Sequence, residues 1–190
     1  MLTLVLGGAR SGKSSFAEKL AQKIGGDEVI YLATAEANDE EMKKRIEHHQ
    51  NKRNKEWKTI EEPLALGEVL SSISAGEVVL IDCITIFLTN LLFLNSNKDE
   101  KINYDEKEDI IMNKIKKLVK AANNKKVILV SNEIGMGVVP SSKLGREFRD
   151  IAGRANQYLA KKADEVYITI AGLPVELKEL SSKINDKNKE

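Results

Sequence analysis

The chain of 190 residues is short of several things: it has one cysteine, two histidines, three prolines and only 5% aromatic residues. Cys83 has no partner for an internal disulfide, and one thiol with two imidazoles is too small a set of soft ligands for a structural zinc site. An excess of one charge is also missing. Thirty Lys and Arg face twenty-nine Asp and Glu, a formal net charge of +1, so no overall field draws in nucleic acid or an anionic membrane. The greasiest stretch, Ile84 to Leu94, is interrupted by Thr85, Thr89 and Asn90 and is far shorter than the roughly 20 residues of a bilayer span. No transmembrane segment is expected. The apolar start, Leu2 to Leu6, has no basic leader and runs straight into Gly7-Gly8, which suits a buried strand and not a signal peptide. A lone thiol fits a reducing cytoplasm.

What is present is enough for one compact domain, expected over residues 1–180 and followed by a polar tail over 181–190. A chain of this length holds a core without staples. Apolar, β-branched runs at Leu2–Leu6, Val29–Ala33, Val78–Ile81, Val127–Val130 and Val166–Ile170 predict strands buried on both faces. Between them lie helical spacings: Phe16, Leu20, Ile24; Met42, Ile46, His49; Ile111, Ile115, Leu118, Ala122; and Leu144, Phe148, Ile151, Ala155, Leu159. The alternation predicts an α/β fold, a mostly parallel sheet with helices on both faces, whose ligands gather at the carboxyl ends of the strands. The polar stretch from Asn95 to Glu108 reads as a surface excursion.

The strongest motif is Gly7-Gly8-Ala9-Arg10-Ser11-Gly12-Lys13-Ser14, which fits G-x-x-x-x-G-K-[ST] between a buried strand and an amphipathic helix. Its backbone N–H groups suit phosphate oxygens, Lys13 the β/γ charge and Ser14 a Mg²⁺ ion, so a nucleoside triphosphate with magnesium is expected. The motif leaves the base open. Val78 to Asp82 is an apolar strand ending in a carboxylate, and Asp82 is the candidate to hold Mg²⁺ directly or through water. The neighbouring Cys83 reads as a small core residue.

The two histidines are adjacent, His48-His49, on a helix expected to open near Asp39. At about 100° per residue His49 shares the stripe of Met42 and Ile46, whereas His48 falls with Glu41, Arg45 and Lys52 on the polar side. A neutral imidazole there is able to attack phosphorus. Asn132-Glu133-Ile134-Gly135-Met136-Gly137 follows a core strand and so arrives at the ligand edge of the sheet, with Glu133 either a cap or a catalytic group. Arg146, Arg149 and Arg154 read as phosphate contacts or as a solvated charged face.

Together the segments LGGARSGKSSFAE from Leu6, YLATAE from Tyr31, DEEMKKRIEHHQNKR from Asp39, WKTIEEP from Trp57, DCITIFLTNLLF from Asp82, SNEIGMGVVP from Ser131 and GREFRDIAGRANQYLA from Gly145 carry a resemblance. The chain resembles the bifunctional adenosylcobinamide kinase and adenosylcobinamide-phosphate guanylyltransferase family of cobalamin nucleotide-loop assembly. The resemblance implies a RecA-like P-loop NTPase fold and two reactions at one centre. Adenosylcobinamide is phosphorylated with ATP or GTP, and the resulting adenosylcobinamide phosphate then receives GMP from GTP through a GMP-histidine intermediate. The nucleophile matches His48. Nucleotide contacts match Gly7 through Ser14, Ala33, Thr34 and Ala35, then His49, Gln50, Asn51 and Lys52, and lastly Glu61 and Asp82. A homotrimer is likewise implied by the resemblance alone. Rival readings are a P-loop kinase of small molecules with structural histidines, and a regulatory NTP-binding module without catalysis.

Overall fold

The structure, a computed structural model, describes residues 1–36, 40, 43, 47, 53–96 and 103–187, apart from the side chains of 95, 96 and 184–187. Its sheet is built from β1 (Leu2–Gly7), β2 (Val29–Ala33), β3 (Lys58–Glu61), β4 (Val78–Asp82), β5 (Lys126–Asn132), β6 (Glu165–Ile170) and β7 (Leu173–Glu176). The helices are α1 (Lys13–Gly25), α2 (Leu66–Ser72), α3 (Ile84–Ser96), α4 (Tyr104–Ala121), α5 (Lys143–Lys162) and α6 (Leu177–Lys187). The seven strands lie in the order β3-β2-β4-β5-β1-β6-β7. Every pairing is parallel except the β6–β7 hairpin.

Strand periodicity divides the core in two. Leu2, Leu4 and Leu6 of β1, with Val79 and Ile81 of β4 and Val127 and Leu129 of β5, meet the apolar stripes of α2 to α5, including Leu66, Phe87, Ile115 and Ile151. Val5, Leu80, Ile128 and Val130 face the other way, onto Ala17 and Ala21 of α1 together with Tyr31 and Trp57. Alanines on the inner face of α1 let that helix lie close to the sheet, so its first turn is held against the end of β1.

Two strands fall outside the five apolar runs. Lys58–Glu61 is a short, largely polar edge strand, and Leu173–Glu176 carries Pro174 at the other edge, where a missing N–H costs no central ladder bond. Residues 181–187, read from sequence as part of a frayed tail, continue a helix begun at Leu177. The Glu176 carboxylate accepts from the backbone N–H groups of Lys178 and Glu179, which caps that helix, and Lys183 pairs with Glu179 one turn apart at 2.6 Å. No helix among the described residues is long and apolar enough to cross a membrane.

Candidate nucleotide site

The carboxyl ends of the parallel strands bring the sequence candidates to one edge of the sheet. Ala33 pairs with Glu61 on one side and with Asp82 on the other. Gly7 pairs with Asn132 and with Thr169. Strand β5 therefore separates the glycine loop from the strand of Asp82.

The loop from Gly7 to Ser14 is a tight turn built by backbone geometry. Arg10 has φ 56° and Gly12, at the head of α1, φ 92°. This alternation of backbone handedness turns successive N–H groups into a concave anion seat at the positive end of a helix. Gly7 has no room for a side chain: a Cβ there would lie 2.3 Å from Ser11 Oγ and 2.5 Å from Thr169 Oγ1. The Ser11 hydroxyl is buried and hydrogen-bonds Thr169 Oγ1 at 3.0 Å, while Thr169 Oγ1 donates to the Leu6 carbonyl at 3.1 Å. Gly172, in the β6–β7 turn, donates its N–H to the Ser11 carbonyl at 2.9 Å. The loop is thus braced from β6 and its hairpin, a role for Thr169 and Gly172 that no local sequence pattern signals. Gly8, Ala9 and Arg10 are exposed, and Lys13 Nζ reaches back to the Gly8 carbonyl at 3.2 Å.

Thr34 is fully buried and acts on the chain around Asp82. Its hydroxyl donates to the Cys83 carbonyl and accepts from the Cys83 N–H, both at 2.8 Å, and its own N–H donates to the Asp82 carbonyl at 3.3 Å. Asn90 closes the same corner, donating to the carbonyls of Thr34 and Pro63. The Asp82–Cys83 peptide is cis. Glu61 is exposed at the end of β3, and Ala35 is partly exposed beyond β2.

The electrostatics place Asp82 and Lys13 in a shared field. Cys83 is buried, and burial first, then the negative charge of Asp82, pushes its thiol up to about 12, with Lys13 acting in the opposite sense. It is a protonated core residue at neutral pH. Tyr31 is 3% exposed. Burial, followed by the Asp82 charge, raises its hydroxyl far above the ordinary tyrosine range, so it stays protonated. The Arg53 guanidinium lies over the Tyr31 ring, 3.2 Å from its centroid.

Other candidates make contacts within the protein. Glu133 accepts from the Gly135 N–H at 2.7 Å and donates its own N–H to the Gly7 carbonyl, capping the turn that leaves β5. Beneath it Ser131, Asn156 and Thr85 form a buried network, with Ser131 Oγ donating to Asn156 Oδ1 at 2.7 Å and Thr85 Oγ1 accepting from the Asn132 N–H. Arg146 donates to the carbonyls of Pro140 and Ser141, Arg149 pairs with Asp150, and Arg154 pairs with Glu108 and Tyr104. Met136, Val138 and Val139 are exposed. His48, His49, Gln50, Asn51 and Lys52 lie outside the described residues.

A backbone anion seat between a buried strand and a helix, with a carboxylate closing a parallel strand one position removed, defines a P-loop nucleotide-binding fold. The chain matches the family model described as cobinamide kinase / cobinamide phosphate guanyltransferase over residues 3–177, and it belongs to that family of enzymes. Curated relatives include the bifunctional adenosylcobalamin biosynthesis proteins CobU of Escherichia coli (strain K12), 46% identical, and of Salmonella typhimurium (strain LT2), 43% identical. Each comparison covers 94% of this chain and 100% of the relative. CobP of Pseudomonas aeruginosa (strain PAO1), carrying the same description, is 44% identical over 94% of this chain and 98% of its own. Among solved structures, a prototypical ATPase from the type III secretion system of pathogenic bacteria shares the fold. Its TM-score is 0.56 at 11% identity, covering 96% of this chain and 52% of that one.

Proposed function

We propose that this protein phosphorylates adenosylcobinamide with ATP or GTP and then transfers GMP from GTP to adenosylcobinamide phosphate through a GMP adduct of His48. The observation that carries the reading is the braced loop Gly7–Ser14 in a chain that matches the bifunctional relatives end to end.

In the kinase step the loop amides and Lys13 hold the triphosphate, and the acceptor hydroxyl attacks the γ-phosphorus in line as the bond to the β-phosphate oxygen breaks. Releasing Lys13 from the Gly8 carbonyl costs one exposed hydrogen bond, which phosphate oxygens replace with charge-assisted ones. In the transferase step His48 attacks the α-phosphorus of GTP, forming a P–N bond as pyrophosphate departs. An oxygen of adenosylcobinamide phosphate then attacks that phosphorus and breaks the P–N bond, giving adenosylcobinamide-GDP and restoring the imidazole.

Ser14 and Asp82 offer hard oxygen donors, and no cluster of three or more metal-binding side chains occurs among the described residues. That donor set fits Mg²⁺ carried mainly by the triphosphate. When bound, the ion neutralises developing charge on the phosphate oxygens. Ala33, Thr34, Ala35 and Glu61, at the same edge of the sheet as the loop, and His49, Gln50, Asn51 and Lys52 complete the nucleotide contacts in this proposal. A homotrimer and a cytoplasmic location belong to it too.

Incubation with α-labelled GTP and magnesium tests it. An acid-labile, alkali-stable adduct is expected, lost in His48→Ala. Label that persists unchanged in that variant would move the nucleophile elsewhere, and its absence from the parent protein would leave a kinase alone.

A further inference from the structure

We propose that Tyr31 is a positioning residue for Asp82, held in place by Arg53, so that the carboxylate assigned to the nucleotide-bound metal is aimed by a clasp on the adjoining strand. The proposal rests on the assignment of Asp82 to the metal made above.

The sheet register puts the parts together. Tyr31 pairs with Thr59 on one side and Leu80 on the other, and the next row on the same face is Glu61, Ala33 and Asp82. Tyr31 is thus the diagonal neighbour of Asp82 across a parallel pair, within reach of a tyrosine side chain. The ring is buried on the face that carries Asp82, and the negative charge of Asp82 acts on its hydroxyl. A hydroxyl that donates to one carboxylate oxygen from this diagonal position restricts the orientations of the carboxylate and leaves its remaining lone pairs for the metal.

Arg53 fixes the ring. Its guanidinium stacks on the Tyr31 face and its Nη1 donates to Thr59 Oγ1 at 2.9 Å. Its Nε is buried without a hydrogen-bond partner among the described residues. The stack on the ring and the bond to Thr59 together hold the guanidinium over Tyr31. Arg53 also follows His48 by five residues, so the clasp ties the base of the nucleophile's segment to the strand beside Asp82.

The test uses the full chain with a non-hydrolysable GTP analogue. Mn²⁺ affinity is read from the electron paramagnetic resonance signal of the free ion. Nucleotide affinity in EDTA and thermal midpoint are measured alongside, and the Mg²⁺ dependence of adduct formation is compared. Tyr31→Phe, which keeps the ring for Arg53 and removes only the hydroxyl, is expected to weaken Mn²⁺ binding about tenfold, the usual loss for an outer-shell partner. EDTA nucleotide affinity and midpoint should stay near the parent's. Arg53→Gln should shift Mn²⁺ affinity in the same direction by less. Asp82→Asn separates the two claims. If it weakens Mn²⁺ while Tyr31→Phe binds the ion like the parent, the positioning role is overturned and the metal assignment stands. If Asp82→Asn itself binds Mn²⁺ like the parent, both are overturned. An equal fall of Mn²⁺ affinity, EDTA nucleotide affinity and midpoint in Tyr31→Phe would mark a merely structural tyrosine and overturn the proposal as well.

Discussion

One methyl group at position 7 would collide with the brace that shapes the phosphate loop. A Cβ on Gly7 meets Ser11 Oγ, Thr169 Oγ1 and the Thr169 carbonyl at 2.3, 2.5 and 2.9 Å. Gly7→Ala is therefore expected to lower stability by about 1–3 kcal/mol, as overpacking does, and to weaken GTP binding. Denaturant titration and a nucleotide titration check the two effects. Thr169→Val keeps the shape and removes the hydroxyl that links Ser11 to the Leu6 carbonyl. Weaker GTP binding with a small stability loss is expected there. Cys83 gives a pH test. Its thiol ionises at an ordinary 9.0 when unfolded and at about 12 when folded. The stability of the protonated buried form is present below the lower value and is lost as pH rises through the higher one. Thiol reagents at mildly alkaline pH should label the protein only after denaturation, and rapid labelling of the folded protein would contradict the burial.

The helices and strands differ in how plainly the sequence announces them. The central strands are unbroken apolar runs because both faces are covered, and α4 and α5 carry regular stripes, Ile111-Ile115-Leu118 and Ile151-Ala155-Leu159. The edge strands β3 and β7 face solvent on one side and lose that signal, and α2 is too short to show a period. At this scale two contacts are measurable. The capping box of α4 joins Asn103 and Glu106 reciprocally, so Asn103→Ala should cost about 1 kcal/mol in denaturant unfolding. Lys114 on α4 meets Glu68 on α2 at 3.1 Å. A backbone hydrogen bond first, then Lys114, hold the Glu68 carboxyl below its usual range. That stability is present above the ordinary carboxylate pKa and is lost as pH falls through the lowered one. Lys114→Ala should cost well under about 1 kcal/mol at neutral pH, as exposed pairs do, and match the parent in strong acid.

Across the whole molecule, the two cores press on opposite faces of one sheet, so a cavity in either loosens the edge that carries the site. Ile81 is fully buried one residue before Asp82, and Ile81→Ala should cost about 2–5 kcal/mol and weaken metal-dependent nucleotide binding with it. The glycine loop was legible in the sequence because its chemistry is local, a run of eight residues between a strand and a helix. The supports of that loop were not, since Thr169 and Gly172 lie far from it along the chain, and nothing in the pattern around Tyr31 or Arg53 foretells that they stack. Sequence shows the motif of the loop, and folding reveals the distant groups that hold it still. The most direct measurement of the whole account is peptide mapping by mass spectrometry after reaction with GTP and magnesium. A guanylyl group on the peptide bearing His48, discharged by adenosylcobinamide phosphate, is the predicted result. A guanylyl group on another residue, or one that the corrinoid phosphate leaves in place, would contradict it.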